Sequence, residues 1–146
     1  MIAPTNIDDN SNEQTFRFAL VVAESNLLRN SVVEALRSRH WFVHGILRAE
    51  QALNILAYIP YRLIVVDSEL PGIRGVEFMR TLNNSRDWQA IQLVVITNSQ
   101  SLDFAPEVAE CGAILVRKTN WKHDLFSLLS ITMKYQAKSY IDRNQF

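Results

Sequence analysis

The feature that most narrows the fold is a series of short, unbroken apolar runs separated by amphipathic stretches. Phe18-Ala-Leu-Val-Val22, Leu63-Ile-Val-Val66, Leu93-Val-Val-Ile96 and Ile114-Leu-Val116 are apolar at every position. A strand of that kind is buried on both faces, as in a parallel sheet covered by helices on each side. Trp41–Leu47 is β-rich but weaker and reads as a strand at the sheet edge. Between these runs, apolar residues recur at three- and four-residue steps, the spacing of one helix face. Leu28, Val32, Ala35 and Leu36 do so behind a capping Ser25 or Asn26. Ala52, Leu53, Leu56 and Ala57 do so over Ala49–Ile59, which Pro60 stops. Val76, Met79, Arg80 and Leu82 predict a short third helix behind a Pro71-Gly72 turn, and Ser101–Cys111 a fourth, shortened or distorted by Pro106 and Gly112. Trp121, Leu125, Leu128, Leu129 and Thr132 predict a long last helix, with Asp124 in its first turn, where the dipole favours an acid.

Five strand-then-helix units predict an α/β fold, a flavodoxin-like doubly wound five-stranded parallel sheet of order 2-1-3-4-5 built as (βα)5. The chain of 146 residues suits one domain. Residues 1–15, polar and acidic, read as a disordered lead-in, 16–136 as the domain, and 137–146 as a polar, net basic tail. Lys plus Arg and Asp plus Glu each number 15, so there is no basic field for nucleic acid or an anionic membrane. A single Cys excludes a disulfide framework, and His40, His44 and His123 show no metal-ligand spacing. No apolar run approaches the roughly 18 residues of a membrane span, and no secretory signal is visible, so the expected location is cytoplasmic.

Ligand sites in doubly wound sheets lie beyond the carboxyl ends of the strands. The residues there are Ala23 and Glu24, Asp67, Thr97 and Asn98, and Arg117 and Lys118. In the 2-1-3-4-5 order Glu24, Asp67, Thr97 and Lys118 converge on one patch. Carboxylates on adjacent strands can share Mg²⁺, which takes one or two carboxylates and keeps several waters. A carboxylate can also attack phosphorus to form an aspartyl phosphate. The developing charge would be met by a metal, an ammonium and a hydroxyl. A capping acid is the simpler reading of any one of these residues. A one-residue shift would hand the Lys118 role to Arg117.

Leu63-Ile-Val-Val-Asp-Ser-Glu-Leu-Pro-Gly72, followed by Gly75 and Phe78-Met79, resembles the phosphoacceptor segment of response regulator receiver domains. Val94-Val-Ile-Thr97 and Cys111-Gly-Ala113 with Lys118 resemble their Thr and Lys segments, and the likeness spans about residues 16–135. The resemblance implies a CheY-like receiver acting in a two-component phosphorelay, a phosphoacceptor and not an enzyme. Asp67 would accept a phosphoryl group from a histidine kinase or phosphotransfer protein. Mg²⁺ would be held by Glu24, Asp67 and the backbone carbonyl of Glu69. Thr97 would bond the phosphoryl oxygens and Lys118 would pair with them, while Glu69 and Ser99 would flank the group. The chain ends soon after its last helix, so the expected output is contact with a downstream protein target. The outer face of that helix, with Trp121 and Phe126, is where such domains dimerise or dock, although core packing is the simpler reading of each residue.

The sequence departs from the family pattern in three places. Ala23 stands where a second acid is usual, leaving only Glu24, and Thr119 follows Lys118 where Pro is usual. The segment from Gly112 to Lys118 is one residue shorter than usual, which puts Leu115 where an aromatic is expected. These departures favour the alternative of a phosphorylation-independent pseudo-receiver, a protein-interaction module. A nucleotide-binding reading finds only four glycines and no G-x-G-x-x-G or P-loop.

Overall fold

The structure is a computed structural model and describes residues 17–70, 75–98 and 109–131. Five strands form one parallel sheet: β1 (Phe18–Val22), β2 (Phe42–Ile46), β3 (Tyr61–Asp67), β4 (Gln92–Thr97) and β5 (Ile114–Arg117), in the order β2-β1-β3-β4-β5. The described helices are α1 (Asn26–Arg37), α2 (Ala49–Leu56), α3 (Gly75–Asn83), a 3₁₀ turn at Lys118–Asn120 and the last helix at 121–131. This is the expected flavodoxin-like order, with the weak Trp41–Leu47 segment supplying the edge strand. Most of the expected fourth helix, 101–108, lies outside the described residues, as do the Pro71-Gly72 turn and Ser99.

The apolar runs explain the layering. In a strand, alternate side chains face opposite sides. Leu20, Val22, Ile64, Val66, Leu93 and Val95 join one core with Ala52 and Leu56 of α2 and Phe78, Met79 and Leu82 of α3. Ala19, Val21, Leu63, Val65, Val94, Ile96 and Val116 join the other with Leu28, Val32 and Leu36 of α1 and Leu125 and Leu129 of the last helix. A fully buried Leu, Ile or Phe contributes about 1.5–3 kcal/mol, so these two layers hold the strand ends in place. Cys111 is buried in the core beneath α2 and α3. Trp41 packs within the α1 layer, Trp121 against the same layer, and Trp88 against the other.

The helix ends follow from local chemistry. Ser25 caps α1, its hydroxyl accepting from the Leu28 amide at 3.2 Å. The turn after α1 puts His40 in the left-handed region at φ 72°, a conformation usually left to Gly or Asn. Helix α2 ends at Leu56, three residues short of the expected Ile59. There the amides of Tyr58 and Ile59 both turn onto the Ile55 carbonyl, at 3.0 and 3.2 Å, and Pro60 bars Ile59 from continuing the helix. Gly112, at φ 71°, makes the turn into β5.

Candidate functional site

The β3 run carries Asp67 to the carboxyl edge of the sheet, beside Ile96 of β4. The next amide, Ser68, stays tied to β4 by a 2.9 Å bond to the Ile96 carbonyl. The start of α3 presses against this corner: a Cβ on Gly75 would stand 3.1 Å from the Asp67 carbonyl oxygen and from the Ser68 Cα. Asp67 is therefore fixed from both sides by backbone.

Asp67 is only 5% exposed, one of two buried polar residues among those described; the other is Thr97, at 1%. Burying a carboxylate is costly unless its oxygens find donors, and both oxygens of Asp67 are addressed. Oδ1 accepts the Glu69 amide at 3.0 Å, an Asx-type turn. Oδ2 faces the Lys118 ammonium at 3.8 Å. Lys118 reaches in from the 3₁₀ turn after β5, whereas Arg117, at the end of β5 opposite Thr97, is exposed. The ion pair thus falls to Lys118.

Thr97 ends β4, next to β3, and Glu24 follows β1 on the other side of β3. The Glu24 side chain is exposed, while Ala23 beside it is buried. Glu69 is exposed, and its amide holds Asp67. The structure brings Asp67, Lys118 and the Glu69 amide into direct contact. It sets Glu24 and Thr97 at the same end of the sheet on the two strands flanking β3. Leu115 is half-buried and packs on the α2–α3 side of the sheet. No cluster of three or more His, Cys, Asp or Glu side chains placed to hold a metal occurs among the described residues. The donors at this edge are carboxylates and backbone carbonyls, hard oxygens that fit a divalent ion keeping most of its water.

Two contacts here are invisible to residue spacing. Arg29 of α1 donates to the carbonyls of Ala23 and Glu24, and it passes over Gly45 of β2. His44, next to Gly45 in β2, and the Tyr61 hydroxyl meet at 2.6 Å on the other face of the sheet. Neither pair carries a motif; both depend on strand register. His123, by contrast, is exposed.

No helix among the described residues is long and apolar enough to cross a membrane. A search of curated proteins finds no match. Among solved structures, the chain resembles the chemotaxis response regulator CheY4 of Vibrio cholerae, with 20% identity and a TM-score of 0.72 over 80% of this chain and 98% of that one. It also resembles a CheY-like response regulator receiver domain protein from Methanospirillum hungatei JF-1, with 19% identity and a TM-score of 0.76 over 85% and 98% of the two chains. A response regulator receiver protein from Pseudomonas putida is 25% identical, with a TM-score of 0.70 over 81% and 96%. Receiver domains are in general signalling modules and not enzymes; they typically bind Mg²⁺ and interact with histidine kinases and downstream targets. The family model of the response regulator receiver domain matches residues 19–129, more than half of the chain and all five strands but the first residue of β1, so this protein belongs to the response regulator receiver family.

Proposed function

We propose that residues 16–136 form a phosphoacceptor in a two-component phosphorelay and that Asp67 takes the phosphoryl group. The observation that carries this reading is the setting of the Asp67 carboxylate. It lies on the floor of the strand-end patch with an amide on one oxygen and an ammonium facing the other. A carboxylate oxygen attacks phosphorus and forms an O–P bond. The N–P bond to the donor imidazole breaks, and its electron pair returns to that nitrogen. Such a transfer asks mainly for positioning and charge stabilisation. Lys118 places a cation beside the incoming oxygens, and Thr97 offers a hydroxyl from the neighbouring strand. Glu24, Asp67 and the Glu69 carbonyl would hold Mg²⁺, which when bound neutralises phosphoryl charge.

The output is altered contact with a downstream protein, and a homodimer through the last helix is one form that contact takes. A cytoplasmic location fits a histidine kinase donor. Hydrolysis of the adduct is slow and is not the purpose of the site. The alternative, an interaction module that is never phosphorylated, is favoured by one observation: Ala23 supplies a buried methyl where a second acid would complete the metal site.

Incubation with acetyl phosphate and Mg²⁺, followed by intact mass measurement, separates the two. One phosphoryl group added to the wild type and none to Asp67→Asn supports the phosphorelay. No adduct on the wild type, with a histidine kinase also tried as donor, establishes the interaction module.

A further inference from the structure

One side chain reaches back across the whole loop between β1 and α1. Arg29, one turn into α1, reaches back so that Nη1 donates to the carbonyls of Ala23 at 2.8 Å and Glu24 at 3.1 Å. Its Nη2 donates to the Asn26 side-chain oxygen. The stem has a built path. A Cβ on Gly45 would stand 3.2 and 3.3 Å from Cγ and Cδ of Arg29 and 3.1 Å from a Val33 methyl. On the strand side the loop is held as well, because the Ala23 amide donates to the Ile46 carbonyl at 3.0 Å. Guanidinium is suited to this task, since its planar donors can serve several oxygens at once.

We infer that Arg29, seated over Gly45, is the positioning residue for Glu24, holding the β1–α1 loop so that this carboxylate stands ready for a divalent cation. The inference rests on the reading of Glu24 as a Mg²⁺ ligand. Its physical basis is the missing acid at Ala23. A site with fewer anionic ligands depends more on having them in place beforehand, because ordering an exposed loop at the moment of binding subtracts from affinity. A competing effect runs the other way: the guanidinium repels a cation. Glu24 is exposed and Arg29 only half-buried, so solvent screens that repulsion and positioning outweighs it.

The test uses the full chain and three variants, Arg29→Gln, Arg29→Lys and Gly45→Ala. Amide exchange of the metal-free protein reads the loop directly. Arg29→Gln speeds exchange in residues 23–26 and leaves β3 and β4 unchanged. Calorimetric titration with Mg²⁺ then shows affinity weakened about tenfold, the low end for losing a group that orients a metal ligand. In acetyl phosphate labelling, the Mg²⁺ concentration for half-maximal rate rises by the same factor, while the rate at saturating Mg²⁺ is kept. Arg29→Lys recovers part of the loss. Gly45→Ala, which crowds the stem, gives a smaller loss in the same direction. Equal or tighter Mg²⁺ binding by Arg29→Gln overturns the inference. So does a fall in the saturated rate with no change in Mg²⁺ dependence. A wild type that binds no Mg²⁺ overturns both this inference and the ligand role of Glu24; a wild type that binds it as tightly as Arg29→Gln overturns this inference alone.

Discussion

Replacing Lys118 and replacing Asp67 should have unequal costs, and the inequality measures how the phosphoacceptor corner is held. At 3.8 Å and an effective dielectric of about 20, opposite unit charges attract by about 4 kcal/mol. That attraction mostly offsets the desolvation of a carboxylate whose side chain is 6% exposed. Lys118→Met removes the attraction and leaves the carboxylate buried with one amide donor. Breaking a fully buried pair in this way costs about 3–5 kcal/mol. Because the Lys118 side chain is 30% exposed, the expected cost here is lower, about 2 kcal/mol. For a domain of this size that is a fall in Tm of roughly 6–10 °C. Asp67→Asn is different. The amide oxygen can still accept from Glu69, and the freed ammonium can turn to water, so stability should stay within about 0.5 kcal/mol of wild type. In the Asn background, Lys118→Met should cost only about 0.5 kcal/mol, which gives a coupling of about 1.5 kcal/mol. Urea unfolding of the four proteins in metal-free buffer makes the measurement. Equal costs for the two single substitutions, or a coupling near zero, would refute the electrostatic account of the corner.

Three further outcomes follow from single positions. Gly75→Ala gains up to about 1 kcal/mol of helix propensity but forces a methyl to 3.1 Å from backbone at Asp67 and Ser68. Overpacking costs about 1–3 kcal/mol, so urea unfolding should show net destabilisation, and a more stable variant would mean that α3 shifts freely. Gly112→Ala meets no atoms within 4 Å, yet its φ of 71° disfavours any Cβ, so a loss of about 1 kcal/mol is expected, with Gly112→Asn milder. Burial raises the Tyr61 pKa above the ordinary 10.0. The neutral phenol is therefore favoured by the fold, and stability should be flat below pH 10 and fall as pH climbs from there through the folded value. Tyr61→Phe should lose about 1 kcal/mol near neutrality, from the 2.6 Å bond to His44, but should remove the Tyr61 part of the alkaline fall in a pH series of melting curves.

The fold was legible because a parallel sheet buries both faces of its strands. Leu63–Val66 and Leu93–Ile96 had no polar residue to spend on solvent, so their pattern admitted little else. Strand and helix starts came through best where a local chemical signal coincides with the boundary, as Ser25 does for α1. The end of α2 has no side-chain signature, because its final turn tightens through backbone bonds alone, and Pro60 marks only the last residue at which a helix could continue. Asp67 was legible as a candidate because it breaks an apolar run at its carboxyl end. Lys118 was legible as the cation beside it through the family resemblance, whereas spacing alone left Arg117 open, since both are basic and only the 3₁₀ turn after β5 decides which one faces inward.

What lay beyond the sequence shares one physical cause, contact set by register and not by periodicity. Hydrophobic patterning fixes which face a strand residue takes but not what stands opposite it on a neighbouring strand. Gly45 reads as a weakness in an edge strand until β1 and β2 are aligned with Val21 opposite it, and only then does the gap become the path of an α1 side chain. His44 likewise stays an isolated polar residue until the same register sets it near Tyr61, two strands away. The two contacts start from consecutive residues of β2 and lie on opposite faces of the sheet. A shift of β2 by one residue would turn His44 to the other face, withdraw Gly45 from Arg29 and put a Cβ in the path of its stem. The edge strand therefore bears on the candidate site without supplying any residue that touches Asp67. The expected mark of this is that Gly45→Ala alters Mg²⁺ dependence more than it alters stability, whereas Phe78→Ala, which empties the core under α3, does the reverse and costs about 3–5 kcal/mol.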